Sequence, residues 1–265
     1  EESHKRNDAV QYSPLIKGVN LWDMLPHYQG PAPLRSRDWN HIKIVVSGVQ
    51  MRAYVNDMKR PVLEIPCLEG NVRNGAIAFE GFAAFANLVV KPDAVEGLPA
   101  GKGADLTNHD ANYIRKWSVT SPKVLEYGRE LSQQDFPTQQ TTWDSLAAER
   151  NGLVNLTRRY GVENRRYVWL RTNIRSSSEV QRKVQLGFSD EVWVFVNGRM
   201  VYVDKNLYIQ GMRKTPNGRC SIENSLFTIP LKSGDNELLI GVANDFYGWG
   251  IIARMESLEG VELAR

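Results

Sequence analysis

The stretch Val184 to Asp204, VQLGFSDEVWVFVNGRMVYVD, restricts the fold more than any other, because it reads as two long strands joined by a tight turn. Asn197-Gly198 sits between two apolar runs, and a two-residue type I′ loop needs that pair because both central residues take positive φ. A two-residue loop sets the register. Val196 is predicted to face Arg199, Val194 to face Val201 and Val192 to face Val203, while on the other side Trp193 meets Tyr202 and Phe195 meets Met200. Both faces of this hairpin are apolar. Both then need cover, which predicts a place near the middle of a sandwich and not at an edge.

A chain of 265 residues can bury two ordinary cores, and two domains are expected. Hydrophobic residues make up 42% and charged residues 24%, an ordinary soluble composition, and no apolar run approaches the roughly 20 residues of a membrane span. No membrane insertion is therefore expected. Lys and Arg total 33 against 30 Asp and Glu, scattered apart from Arg158-Arg159 and Arg165-Arg166, which excludes the clustered basic face that nucleic acid requires. Cys67 and Cys220 are read as buried free thiols in different domains. The sequence opens at Glu1 without methionine, so the natural start is expected upstream, where an export signal could lie; the expected location is extracellular or periplasmic.

Residues 1–93 carry only strand signals. Across Trp39 to Asn56, Ile42, Ile44 and Val46 alternate with Lys43, Val45 and Ser47, and Met51, Ala53 and Val55 alternate with Gln50, Arg52 and Tyr54. A Gly48-Val49 loop of type II′ pairs Val46 with Met51, Ile44 with Ala53 and Ile42 with Val55. One face is then greasy and the other wet. The wet face, with Lys43, Arg52 and Tyr54, joins hydrogen-bond donors to an aromatic plane, the mixture that suits a sugar; a plain solvated face is the alternative. Further strands are predicted at Val10 to Ile16, Val62 to Leu68, Gly75 to Glu80 and Ala84 to Val90. Residues 94–112 form a linker rich in glycine and proline, and its Gly101-Lys102-Gly103 lacks the strand and helix that a phosphate loop needs.

The second domain is expected over 113–265. Thr141 and Asp144 suggest a capping box ahead of one short helix through Ala148, ended by Gly152. Strands are predicted at Gly152 to Thr157, Arg166 to Ile174, through the central hairpin, and at Ser225 to Leu231, Glu237 to Asn244 and Trp249 to Glu256.

Two resemblances rest on these residues. Val194-Phe195-Val196-Asn197-Gly198-Arg199-Met200-Val201, Ile229-Pro230-Leu231-Lys232-Ser233-Gly234-Asp235-Asn236-Glu237-Leu238 and Gly248-Trp249-Gly250 make residues 113–265 resemble the galactose-binding-domain-like jelly roll of carbohydrate-binding modules. Trp39-Asn40-His41-Ile42 through Asn56, with Gly75-Ala76-Ile77-Ala78-Phe79 and Phe85-Ala86-Asn87-Leu88, is similar to the second half of a concanavalin A-like lectin/glucanase sandwich, the laminin G and 3-keto-disaccharide hydrolase type. Together they imply an all-β chain of two β-sandwich (jelly-roll) domains in tandem with at most one or two short helices, the first sandwich incomplete. Its missing N-terminal half, or another chain, would cover the open edge.

Catalytic patterns are sparse. His4, His27, His41 and His109 lack metal-ligand spacing, and no nucleophile elbow or Cys-His pattern is present. Asp190, Glu191, Asp204, Asp245 and Glu256 could supply a glycosidase pair, but acids at loop ends are common in β-sandwiches. The loop Asn244-Asp245-Phe246-Tyr247-Gly248-Trp249-Gly250 gathers aromatics, amide and carboxylate between two strands. Stacking on Tyr247 or Trp249, with Asn244 and Asp245 taking hydroxyls, would bind a sugar; alternatively Trp249 plugs the end of the sandwich. Asp204-Lys205-Asn206 ahead of Tyr208 is a weaker candidate for the same surface or for a structural calcium, and no other cofactor is expected. Asn155-Leu156-Thr157 is a glycosylation sequon. The expected function is non-catalytic carbohydrate binding with a carbohydrate ligand. A glycoside hydrolase with its site on the concave face of the first sandwich, and a scaffold or inter-domain module, are the alternatives.

Overall fold

The computed structural model describes residues 6–72, 74–163, 165–209 and 211–264. The chain is nearly all β and forms two compact units, one of Glu1–Leu15 with His27–Ala104, the other of Ile16–Pro26 with Asp105–Arg265. The second unit thus includes a strap, Ile16–Pro26, drawn from far upstream in the chain.

In the first unit, β1 (Ile42–Val46), β2 (Met51–Val55) and β3 (Leu63–Ile65) form an antiparallel sheet in that order. Val46 pairs Met51, Ile44 pairs Ala53 and Ile42 pairs Val55, the register expected from the alternation. Ser47 N donates to Gln50 O at 2.9 Å and closes the Gly48-Val49 loop, but Gly48 does not take positive φ, so the turn is not type II′. The faces differ from expectation. The greasy face is covered over β2 and β3, where Ala53, Val55, Leu63 and Ile65 are buried, and bare along edge strand β1, where Ile42, Ile44 and Val46 are 57%, 59% and 47% exposed. The face expected to be wet is instead packed: Val45 and Tyr54 are buried with Leu98 and Met58. Segments 75–80 and 84–90, expected as strands, pair with no strand; their Ile77, Phe79, Phe85 and Leu88 are exposed.

The second unit is a two-sheet sandwich. Its strands are β4 (Lys116–Val119), β5 (Asp144–Ala147), β6 (Leu153–Asn155), β7 (Arg166–Ser176), β8 (Val180–Ser189), β9 (Glu191–Val196), β10 (Arg199–Lys205), β11 (Leu226–Leu231), β12 (Gly234–Ala243), β13 (Gly250–Met255) and β14 (Val261–Leu263). The larger sheet runs β5-β4-β7-β12-β9-β10, with β14 and Lys123–Val124 also on β7; the smaller runs β6-β13-β8-β11. Val168, Leu170, Val192, Val194, Ile240 and Val242 of the first pack against Val184, Leu186, Phe188, Ile229, Ile251 and Ala253 of the second. Burial of these apolar side chains, each contributing about 1.5–3 kcal/mol, holds the layers together.

The Asn197-Gly198 hairpin is β9–β10, and both turn residues take positive φ, at 50° and 78°, as a type I′ loop requires. Val196 pairs Arg199 and Phe195 pairs Met200 as expected; a bulge between Val194 and Phe195 then shifts the register, so Val194 meets Tyr202, Trp193 meets Val203 and Val192 meets Asp204. An extra residue in one strand is what alternation alone cannot show. Every residue of β9 is buried, because a second core of Leu125, Leu131, Phe136, Trp143, Trp169, Trp193, Phe195 and Leu239 covers the outer face of the sheet. Cover on both sides is therefore found, but β10 is the outermost strand, so the hairpin reaches the edge that its apolar pattern argued against. The bulge bends this edge and limits strand addition.

The helix expected up to Ala148 is absent: Asp144–Ala147 is a strand paired with Lys116–Val119. Among the described residues the one α-helix is α1, Leu156–Tyr160, and Asn155 caps it by accepting from Arg158 N at 2.9 Å. Asn155 is 3% exposed, so the sequon asparagine is occupied inside the fold. Both cysteines are buried thiols outside any disulfide.

Candidate functional site

Four aromatic rings from three separate segments meet at one end of the second unit. Trp22 comes from the strap, Tyr208 from the loop after β10, and Phe246 and Tyr247 from the loop between β12 and β13. Tyr208 and Phe246 lie parallel, 3° apart with centroids 6.0 Å apart; Trp22 stands edge-on to Tyr208 at 4.9 Å and to Tyr247 at 5.8 Å. Phe246 and Tyr247 meet edge to face at 4.4 Å. Edge-to-face and offset arrangements suit the ring quadrupoles and leave faces free. Tyr208, Phe246 and Tyr247 keep 47%, 39% and 41% of their surface in solvent.

Buried amides pin the loop that carries Tyr208. Asn206 Nδ2 donates to Phe188 O at 2.8 Å while its Oδ1 accepts from Lys214 N at 2.8 Å. Asn224 Oδ1 accepts from Phe188 N and Ser221 N, and its Nδ2 donates to Thr215 O at 2.7 Å. Each buried amide thereby satisfies backbone groups that would otherwise be costly to desolvate. Gly187 lets this loop lie against β8: a Cβ there would come 2.4 Å from Ser221 O.

Asp190 organises the other loop. Its Oδ2 accepts from Asp245 N at 2.6 Å and Phe246 N at 2.8 Å, and Ser189 Oγ donates to its Oδ1 at 2.8 Å. Burial pushes its carboxyl up to about 7 despite those donors. Asp23, the residue after Trp22, is also buried; burial first and the neighbouring Asp190 second hold its carboxyl well above the usual carboxylate range. The strap is seated by Cys220 N donating to Asp23 O at 2.8 Å and Gly248 N donating to Asp23 Oδ1 at 3.4 Å, with Leu21 and Met24 packed where Gly248 and Gly250 leave room.

Charges flank the rings. Arg213 lies 6.0 Å from the Tyr208 centroid and Arg219 5.1 Å from that of Trp22. Arg165 pairs with buried Glu191 and reaches Asp245 at 3.8 Å, while Lys205 bridges Glu191 at 2.9 Å and Glu130 at 2.7 Å. Arg213 also lines a cavity of about 600 Å³ with Leu131, Trp193, Met200, Val203 and Lys205.

Of the residues singled out in the sequence, Tyr247 and Asp245 reach this surface. Asn244 is buried and donates to Tyr247 O at 3.2 Å, which makes it a strut of the loop. Trp249 is 1% exposed and its Nε1 donates to Gly161 O at 2.9 Å; it plugs the sandwich and offers no ring to solvent. Lys43, Arg52 and Tyr54 belong to the first unit, where Tyr54 is sealed, Lys43 Nζ sits 4.1 Å over its ring and pairs with Glu96, and Arg52 pairs with Glu64 at 3.0 Å. That surface is closed by its own chain. Asp204 accepts from Tyr202 at 2.5 Å and pairs with Lys214, and Asn206 is committed to backbone, so the oxygens considered for calcium already face donors. Among the described residues, no three His, Cys, Asp or Glu side chains group as metal ligands; His4 lies outside them. Trp22 is not among the residues singled out in the sequence, and Phe246 is named there only as part of its loop. Trp22 gave no signal because nothing local ties the strap to the distant loops, whereas Phe246, flanked by Asp245 and Tyr247, was readable as a third ring.

No family model matches the chain, and no curated protein matches it. Solved structures similar to it include a family 35 carbohydrate binding module from an environmental isolate, at 14% identity, covering 59% of this chain and 94% of that one with a TM-score of 0.32. A beta-glucosidase from Kluyveromyces marxianus in complex with glucose matches at 12% identity over 57% of this chain and 16% of that one, TM-score 0.34.

Proposed function

We propose that the second unit binds carbohydrate, without covalent chemistry, at the surface made by Trp22, Tyr208, Phe246 and Tyr247. The observation that carries this reading is the clustering of partly exposed rings from three segments on loops braced by buried amides and a buried carboxylate. Such rings offer planes to the C–H faces of a pyranose, while Asp245 and Arg213 beside them suit its hydroxyls. Bracing lowers the ordering cost of binding. The acids near the surface are engaged in ways that suit support better than catalysis: Glu191 is held by two cations and Asp190 by two backbone N–H groups. Glycan-array binding of the intact chain, weakened in Tyr208→Ala and in Tyr247→Ala, tests this. Release of reducing sugar by the chain would overturn the non-catalytic reading.

The bare edge of the first unit favours a second reading for that unit. On it, Ile42, Ile44 and Val46 form a contact strip that further β structure covers, from upstream sequence or another chain, as the lectin/glucanase resemblance implies. Protection of β1 amides on adding the upstream sequence would support it, and unchanged exchange would count against it.

A further inference from the structure

Two adjacent strap residues do different things. Trp22 enters the aromatic cluster, and Asp23 is buried against the loop that Asp190 holds: Gly248 N donates to Asp23 Oδ1, while Asp245 N and Phe246 N donate to the Asp190 carboxylate. The two acids therefore support two of the three segments of one surface: one is on the strap, the other holds the loop that presents Phe246 and Tyr247. We propose that Asp23 and Asp190 form a proton-operated latch, which keeps the strap and Trp22 seated while the pair holds at most one negative charge and releases them when both acids ionise.

The surroundings of the pair support this. Asp23 faces Asp190, the Ser189 hydroxyl, the Gly248 N–H and the Cys220 thiol, itself pushed far up by burial; Asp190 faces Ser189, Cys220, the Asp245 carboxylate and two backbone N–H groups. Arg165 pairs with Glu191 and Asp245, and Arg219 lies over the ring of Trp22. Among the described residues neither acid forms an ion pair with a Lys or Arg, and a second charge would arise inside a medium that screens poorly. Burial holds both carboxyls above the ordinary carboxylate range, Asp190 at about 7, so the pair takes on its charges at higher pH than surface carboxylates do. Asp190 lies between two strands of the sandwich, whereas Asp23 is on a strap outside both sheets, held by Leu21 and Met24 and by backbone bonds to Cys220 and Gly248.

Hydrogen exchange of the intact chain, read on peptides covering residues 16–26 and corrected for the intrinsic pH dependence of exchange, tests the latch without any sugar. Protection of the strap is expected to fall about tenfold or more between roughly pH 5.5 and pH 8.5, while β8 and β12 keep theirs. Asp23→Asn, neutral at every pH, is expected to hold protection constant, and Asp190→Asn to do the same should the first variant fail to fold. Equal strap protection of the wild-type chain at the two pH values would overturn the latch, as would a pH step that survives either substitution. A latch that works in a chain binding no glycan would fault only the carbohydrate reading, and glycan binding with a pH-indifferent strap would fault only the latch.

Discussion

Trp22 stands edge-on to Tyr208 with ring centroids 4.9 Å apart, joining the strap to the loop after β10 across most of the chain. Their contact turns two side chains that are unremarkable in sequence into one wall of a shared surface.

If that surface binds carbohydrate, Tyr208→Ala and Phe246→Ala each remove a ring face worth about 0.5–1.5 kcal/mol, a loss of roughly two- to tenfold in affinity. Both rings are partly in solvent, so the same variants should shift unfolding free energy by less than about 1 kcal/mol. Isothermal titration with an array-identified glycan, alongside thermal melts, separates the two effects. An affinity loss that merely follows a large stability loss would count against a direct role.

The buried acids give stability a definite pH dependence. Asp190 and Asp23 have raised folded values against about 3.9 unfolded, so the folded state holds more protons; their contribution is complete below about pH 4 and is lost as pH rises, through about 7 for Asp190. Asp105, Asp110 and Asp204, held low by hydrogen bonds and cations that outweigh their burial, act with the opposite sign and lose their contribution as pH falls below about 4. The urea midpoint should accordingly be higher near pH 5 than near pH 8.5, and Asp190→Asn should flatten that fall. A wild-type midpoint that climbs from pH 5 to 8.5 would contradict the assignment.

Gly187→Ala should destabilise by about 1–3 kcal/mol, since the new Cβ would press on the backbone of Ser221 and Ile222, which cannot swing aside as a side chain could. Gly48→Ala, with nothing within 4 Å and an ordinary φ, is its control and should change stability by less than about 0.5 kcal/mol. Denaturant titration of both reads the difference.

The strongest local signals were legible in the sequence. The Asn197-Gly198 turn, the pairing of Ile42 with Val55 through Val46 with Met51, and the strands at 166–176 and 226–231 follow from period-two alternation and turn chemistry. What alternation leaves open is which face gets covered: Leu98 closes over Tyr54, and residues 125–143 close over Trp193, through contacts distant in sequence. Trp249 and Tyr247 illustrate the same limit at the candidate site. Both sit in one aromatic loop, yet the strand beginning at Gly250 turns the first inward and a positive φ of 55° at Tyr247 turns the second out. Thr141 and Asp144 mimic a helix cap, but pairing with Lys116–Val119 overrides that local preference.

Ile44→Ser should leave stability within about 0.5 kcal/mol, because Ile44 already stands in solvent, and should reduce binding of a hydrophobic dye to the intact chain. A loss of several kcal/mol would mean that β1 is covered.

Strap membership has a practical corollary for dissection of this protein. A cut made at residue 105 would deliver every strand of the sandwich yet leave behind Leu21, Asp23 and Met24, opening a hole over Gly248 and Gly250 and stripping the cluster of its indole. Residues 27–104 are thus spliced into the second unit like a parenthesis in a sentence, and an excised version needs residues 16–26 grafted ahead of Asp105 to read correctly.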